Sequence, residues 1–393
     1  MAANRTVSFD DTSIAFASKS DTELLKMYWL FAAMNNNFLV SNGTKLVDLA
    51  FKLHLPVKFI IKPTIFDHFC GGETIADCEG TIKELADYGI GTILDYSVEG
   101  EKNERSFDKT AAEIMATIDK AASTPSIPFS VFKVTGVADS GILEKTQDKK
   151  KLSEKEQSAL DKAWERVDKI CRHANQKKVR IFIDAEETWI QDVIDEMADT
   201  MMERYNEHQV IVYNTYQLYR HDRLNAIKKA YKRAMEGGYL IGAKLVRGAY
   251  MEKERREAKA ANQPDPINPT KAATDKLFND ALAFCVERTD RIAICNGTHN
   301  EESTYLLMEL MERHRIKPGD PSIYFAQLYG MSDNISYNLA KAGYNVAKYV
   351  PYGPVEAVMP YLTRRAQENT AIAGQSSREF NLIKKERERR KQS

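Results

Sequence analysis

The chain has 393 residues, 43% hydrophobic and 28% charged, with 56 Lys plus Arg set against 56 Asp plus Glu. That composition is ordinary for a soluble globular protein, and the balanced charge lacks the electrostatic footprint that a nucleic-acid partner requires. Mean hydropathy is −0.47, and no stretch approaches the roughly 20 consecutive apolar residues of a membrane-spanning helix.

The opening residues, MAANRTVSFDDTSIAF, lack a basic start followed by an apolar run, and Asp10 with Asp11 speak against an acid-poor transit peptide. They predict a cytoplasmic chain, able to sit peripherally at an inner membrane. Leu24, Leu25, Tyr28, Leu30 and Phe31 stand at roughly helical spacing and predict an N-terminal helical arm over residues 1–56 that packs on the core.

From residue 57 to 378, short β-branched runs alternate with longer amphipathic stretches. The strand-like runs are Gly91–Tyr96, Phe129–Val134, Val179–Ile183, Val210–Tyr213, Leu240–Val246, Ile292–Asn296, Ile323–Leu328 and Val346–Val350. Helical periodicity fills Ile190–Tyr205, Leu224–Met235, Thr270–Val286, Glu301–His314, Asn334–Ala342 and Glu356–Asn369. Eight strand-helix units predict an α/β protein with a (βα)₈ barrel of the TIM type. An open doubly wound sheet is the alternative, but no Gly-x-Gly-x-x-Gly follows a strand, so a Rossmann dinucleotide site is not supported.

Three charged segments read as solvated surface. Residues 144–172, dense in Lys and Glu, predict an extended insertion around the second helix, and residues 379–393 a frayed charged tail. Residues 252–269 run a charged helix into a loop with Pro264, Pro266 and Pro269 that overhangs the barrel top. The five cysteines, Cys70, Cys78, Cys171, Cys285 and Cys295, include no Cys-x-x-Cys spacing and read as reduced packing residues, with no metal site.

Barrel enzymes take their catalytic groups from the carboxyl ends of strands. The first polar residues there are Lys133; Asp184 and Glu186; Asn214 and Tyr216; Lys244 and Arg247; His299 and Asn300; Gln327 and Tyr329; Tyr349 and Tyr352. Any one of them could be an interior structural hydrogen bonder, but seven consecutive strands ending this way point to a site. In the last helix Tyr361, Arg364, Arg365 and Glu368 follow i, i+3, i+4 and i+7 spacing and share one face. An Arg pair can clamp a carboxylate or phosphate. The same pattern also makes a surface salt-bridge ladder, which spacing alone favours.

The strings DAEETW at 184–189, KLVRGAY at 244–250, THN at 298–300, LYGM at 328–331 and YLTRRAQEN at 361–369 resemble, in order and spacing, those of the proline dehydrogenase family. NTY at 214–216 and DPINPT at 265–270 resemble its monofunctional, eukaryotic-type branch. The resemblance implies a distorted barrel that holds FAD noncovalently on its carboxyl face. It implies oxidation of L-proline to Δ1-pyrroline-5-carboxylate, a quinone acceptor, and exchange of product with a pyrroline-5-carboxylate dehydrogenase.

By the same resemblance, Arg364 and Arg365 pair with the proline carboxylate, with Lys133 as a third positive group. Tyr349 and Leu328 line the ring, and Asp184 and Glu368 orient the cations. Lys244 approaches flavin N5, Asn214 the isoalloxazine edge, Arg247, Gly248, Ala249 and Tyr250 the phosphates and ribitol, and Thr298, His299 and Asn300 the adenine half. The bacterial bifunctional members carry Arg at the position of Lys244 and Gln at that of Asn214. A hydroxyproline dehydrogenase, a Schiff-base aldolase-type barrel using Lys133 or Lys244, and a silent barrel binding a partner through 144–172 are the competing readings.

Overall fold

The computed structural model describes residues 7–36, 57–97, 103–371 and 375–392. In chain order the elements are α1 (Asp21–Met34), α2 (Glu79–Asp87), β1 (Ile90–Tyr96), α3 (Glu104–Ala122), β2 (Phe129–Lys133), α4 (Ser140–Gln147), α5 (Glu154–Lys177), β3 (Arg180–Asp184), α6 (Thr188–Tyr205), β4 (Val212–Gln217), α7 (Arg223–Gly237), β5 (Ile241–Val246), α8 (Met251–Ala260), α9 (Lys271–Val286), β6 (Ile292–Gly297), α10 (Glu301–Arg313), β7 (Ile323–Leu328), α11 (Asp333–Lys341), β8 (Val346–Tyr352), α12 (Val355–Ala371) and α13 (Gln375–Gln392). The strands run in the order β1 to β8 around a closed barrel, the predicted (βα)₈ architecture. The chain divides into two compact units, residues 100–326 and residues 1–99 with 327–393.

In the unit 100–326 the parallel register sets Lys133 opposite Asp184, Thr215 opposite Lys244, and Lys244 opposite Cys295. Strand alternation sends every second side chain inward. Phe129 stacks on Phe182 with centroids 4.4 Å apart, and Tyr213 meets both edge-on at 5.4 Å. Each such pair contributes about 0.5–1.5 kcal/mol beyond area burial. Two residues further along β3 and β4 the inward positions become Asp184 and Thr215, so an aromatic layer supports a polar one.

Residues 144–172, expected to be extended and solvated, are largely helical: they hold the second half of α4 and the first 19 residues of α5, and α5 buries Leu160, Ala163, Val167, Ile170, Cys171 and Ala174 along one stripe. The Lys and Glu residues that signalled a solvated segment are the outer face of a barrel helix. A capping box between Ser153 and Glu156 starts α5, and Lys178 in the left-handed conformation ends it. The loop after α8 is tied down as well, for Asn268 N–H donates to Tyr219 O at 2.7 Å.

In the other unit β1 pairs with β8 from Ile90 with Val346 to Tyr96 with Tyr352. Leu24, Met27 and Phe31 of α1 pack with Ala15, Phe16, Leu382 and Ile383. Leu25, expected to pack, faces outward at 41% exposure. The remainder of the predicted arm, residues 37–56, lies outside the described residues. The C-terminal segment is no frayed tail: Leu382 and Ile383 of α13 are buried, and the buried Glu386 pairs with Arg389 and Arg390 at 2.8 Å. Charge density concealed two apolar residues that suffice to dock one face of the helix. All five cysteines are buried and reduced.

Candidate active site

The polar layer of the unit 100–326 centres on Asp184. Lys244 Nζ donates to Asp184 Oδ1 at 2.6 Å, and Thr215 Oγ1 donates to the same oxygen at 3.2 Å. The Lys244 and Asp184 side chains are only 8% and 13% exposed, and Nζ stands 4.9 Å from the Phe182 ring centroid. In this sparse solvent each charge depends on the other, since removing one partner leaves a buried uncompensated ion. Lys133, at the end of β2, stands in register with Asp184.

Glu186, two residues past Asp184, fastens the turn after Lys133. Its carboxylate accepts from Thr135 N–H at 3.0 Å and also from Thr135 Oγ1. Burial pushes its carboxyl up to about 7 against those two bonds.

Asn214 turns the other way. Its Nδ2 donates to Asp195 of α6 at 3.0 Å and its Oδ1 accepts from Thr215 N–H at 2.8 Å. The strand expected to end at Tyr213 continues to Gln217, and the residues that follow Tyr213 on the Asp184 side are Thr215 and Gln217. Gln217 is 2% exposed, and its Oε1 has no hydrogen-bond partner among the described residues. A buried acceptor left without a donor is costly and calls for an explanation. Thr215 and Gln217 were legible only through the two-residue period of β4.

Arg247 is engaged at every nitrogen. Nε donates to Asp275 at 2.9 Å, Nη1 to Thr298 Oγ1 at 2.7 Å and Nη2 to Ser303 Oγ at 2.9 Å, and the guanidinium lies 4.3 Å from the Phe278 centroid. It ties β5 to the start of α10. Gly248 has φ +128°, and an added Cβ would lie 2.4 Å from the Tyr219 ring, so only glycine fits there. Ala249 is exposed and Tyr250 precedes α8. Asn300 caps α10 by accepting from Ser303 N–H at 2.8 Å, and Thr298 Oγ1 accepts from Asn300 N–H at 3.2 Å, with the partly exposed His299 between them. A cavity of about 450 Å³ in this unit is lined by residues at the strand starts, among them Arg180, Tyr213 and Arg291. It lies at the end of a barrel where catalysis is not found.

The remaining candidates belong to the other unit. Tyr349 is 8% exposed, and its carbonyl accepts from Tyr329 N–H at 2.9 Å, just after the partly exposed Leu328. On α12, Arg365 is 7% exposed and its guanidinium lies 5.3 Å from the Tyr361 centroid. A buried, stacked arginine is not a surface ladder. Arg364 beside it is partly exposed, and Glu368 lies on the same helix.

The sequence model of one family, described as Proline dehydrogenase, matches residues 78–378. The chain belongs to the proline dehydrogenase family. Proline dehydrogenase 1, mitochondrial, of Dictyostelium discoideum is 34% identical over 97% of this chain and 74% of its own length. The carbapenem antibiotics biosynthesis protein CarD of Pectobacterium carotovorum is 35% identical over 82% of this chain and 83% of its own length. Proline utilization A from Bdellovibrio bacteriovorus, inactivated by N-propargylglycine, shares the fold with a TM-score of 0.71 at 20% identity. The alignment covers 95% of this chain, which spans 40% of that longer one. The proline dehydrogenase relatives are named as mitochondrial, which overturns the cytoplasmic expectation. That expectation rested on the charge pattern of sixteen residues, and one segment does not decide a compartment. No described helix is long and apolar enough to cross a membrane.

Proposed function

We propose that this chain oxidises L-proline to Δ1-pyrroline-5-carboxylate with a noncovalently held FAD. A quinone would take up the electrons and a pyrroline-5-carboxylate dehydrogenase would receive the product. The observation that carries the reading is the buried Lys244–Asp184 ion pair in a member of the proline dehydrogenase family. The donor chemistry fits a flavin: an ammonium at Lys244, the orphan acceptor of Gln217 for an external N–H, and the hydroxyl and imidazole of Thr298 and His299. When bound, FAD supplies the two-electron acceptor for the hydride that leaves proline C5.

The chain itself works by orientation. Arg364 and Arg365 bind the carboxylate, Arg365 being set by its stacking on Tyr361. Tyr349 and Leu328 pack against the ring, and the aromatic side chain leaves less room for a 4-hydroxyl, which favours proline over hydroxyproline. Lys133 and the Arg pair disfavour an ammonium on the substrate, so the amine binds deprotonated. Asp184 holds Lys244, and Glu186 holds the turn after Lys133. Glu368 would orient the Arg pair. Asn214 and Arg247, already bonded within the chain, shape the strand ends, while Gly248, Ala249, Tyr250 and Asn300 form the turns that border the cofactor. Holding C5 in place through the distant carboxylate is catalysis by positioning, for which up to about 7–11 kcal/mol is available. The salt bridge to Asp184 argues against a Schiff-base role for Lys244.

The test is the visible spectrum of the protein reconstituted with FAD. Flavin absorption that bleaches on anaerobic addition of L-proline is the expected result. Failure to take up FAD, or a bound flavin indifferent to proline, would sink the reading.

A further inference from the structure

The turn from β7 to α11, residues 329–332, is held from four directions within its own unit. Tyr329 N–H donates to Tyr349 O at 2.9 Å. His68 Nε2 donates to Gly330 O at 2.9 Å, and Lys348 Nζ donates to Met331 O at 2.5 Å while pairing with Asp333 at 2.8 Å. The fourth hold is Ser332 N–H, which donates to Glu379 Oε1 of α13. Ser332 itself sits in the left-handed region at φ +52°, with no side-chain cap for α11. A non-glycine residue is strained there and persists only where its surroundings over-determine it.

Glu379 is 4% exposed, and it reaches the amino end of α11 from a helix that begins 42 residues after Asp333. It acts as a remote capping carboxylate, supplying the acceptor that Ser332 does not. The matched family region ends at residue 378, so this contact comes from the first residue beyond it.

We propose that Glu379 is a positioning residue for substrate: by fixing the Ser332 amide it holds the turn that carries Leu328 and Tyr329 and, through Tyr329, the backbone of Tyr349. The C-terminal helix is thereby part of the proline-binding apparatus and not merely a cover for the N-terminal arm. The inference rests on the proposed proline oxidation for its kinetic consequence, but the contact with Ser332 stands without it. Burial and the nearby Asp333 push the Glu379 carboxyl up to about 7, so a glutamine, which keeps an acceptor oxygen in place, is a close mimic.

The experiment uses the full FAD-reconstituted chain as Glu379→Ala, Glu379→Gln and Glu379→Asp, measuring amide hydrogen exchange of the 327–334 peptide alongside steady-state kinetics with L-proline. The alanine variant should exchange that peptide faster and raise KM for proline about tenfold, the scale of leaving one buried N–H without its acceptor, with kcat within about twofold. The glutamine variant should restore both readouts. If the alanine variant does not fold, the aspartate variant, one methylene too short to reach Ser332, should show the same pattern. Unchanged exchange in the alanine or aspartate variant overturns the contact. Faster exchange with an unchanged KM overturns the positioning role and leaves Glu379 a structural cap. A parent enzyme that fails to oxidise proline overturns the proposed function instead, and the exchange result still decides the contact.

Discussion

Lys244 and Asp184, sixty residues apart in sequence, meet at 2.6 Å with both side chains largely removed from solvent. Because β3 and β5 flank β4, the pair spans one strand and uses Thr215 beneath it as a third partner. Replacing Asp184 by Ala strands an ammonium over the Phe182 ring, and the expected loss is about 3 kcal/mol of stability. In a double-mutant cycle measured by urea unfolding, Asp184→Ala combined with Lys244→Met should lose less than the sum of the single changes. Strict additivity would mean that the two charges do not depend on one another.

Glu186 makes stability depend on pH in the direction opposite to a salt-bridged carboxylate. Burial raises its carboxyl in the folded state from 4.5 to about 7. Between those values the native chain holds a proton that the unfolded chain has released. Stability is therefore fully present below about pH 4.5 and is lost as pH rises toward 7, at about 1.4 kcal/mol per pH unit for this group. Glu186→Gln should flatten that part of the profile and gain on the parent at pH 8 relative to pH 5. Parallel profiles for the two proteins would remove Glu186 as the source.

The eight strands were legible because β-branched runs recur between amphipathic stretches, and that pattern survives without any tertiary information. The charged segments were misread because density of Lys and Glu says nothing about the face they occupy: α5 hides a continuous apolar stripe beneath them, and α13 hides Leu382 and Ile383. The polar layer around Asp184 was half visible. Lys244 stands at an obvious strand end, but Thr215 and Gln217 lie past the point where β4 turns polar, and a polar run looks like the end of a strand unless the barrel's own mouth requires it. Remote partners such as Glu379 for Ser332 leave no local mark in the sequence at all.

Ser153 offers a control that should touch stability alone. Its hydroxyl accepts from Glu156 N–H at the start of α5. Ser153→Ala should cost about 1 kcal/mol in thermal or urea unfolding and leave FAD content and proline kinetics at parental values. An effect on turnover without one on stability would show that the charged helix serves the reaction, against its reading as a barrel helix.

The arginines of α12 separate binding from fold. Arg365 is 7% exposed and stacked on Tyr361, so its charge lies where a desolvated carboxylate gains most from paired hydrogen bonds. Arg365→Met keeps much of the aliphatic packing over the ring while removing the guanidinium. It should leave folding and FAD content intact and weaken proline binding by about 2–5 kcal/mol, the scale of truncating one partner of a buried charge pair. Arg364→Met should act in the same direction. The loss should appear in KM and, through misplacement of C5, in kcat. Tetrahydrofuran-2-carboxylate, which keeps the carboxylate and lacks the oxidisable amine, should compete with proline in the parent and fail to do so in both variants. Pyrrolidine, which lacks the carboxylate, should be a poor substrate for all three proteins. If both Met variants oxidise proline with parental constants, the guanidiniums are packing groups and the substrate is held by something other than its carboxylate.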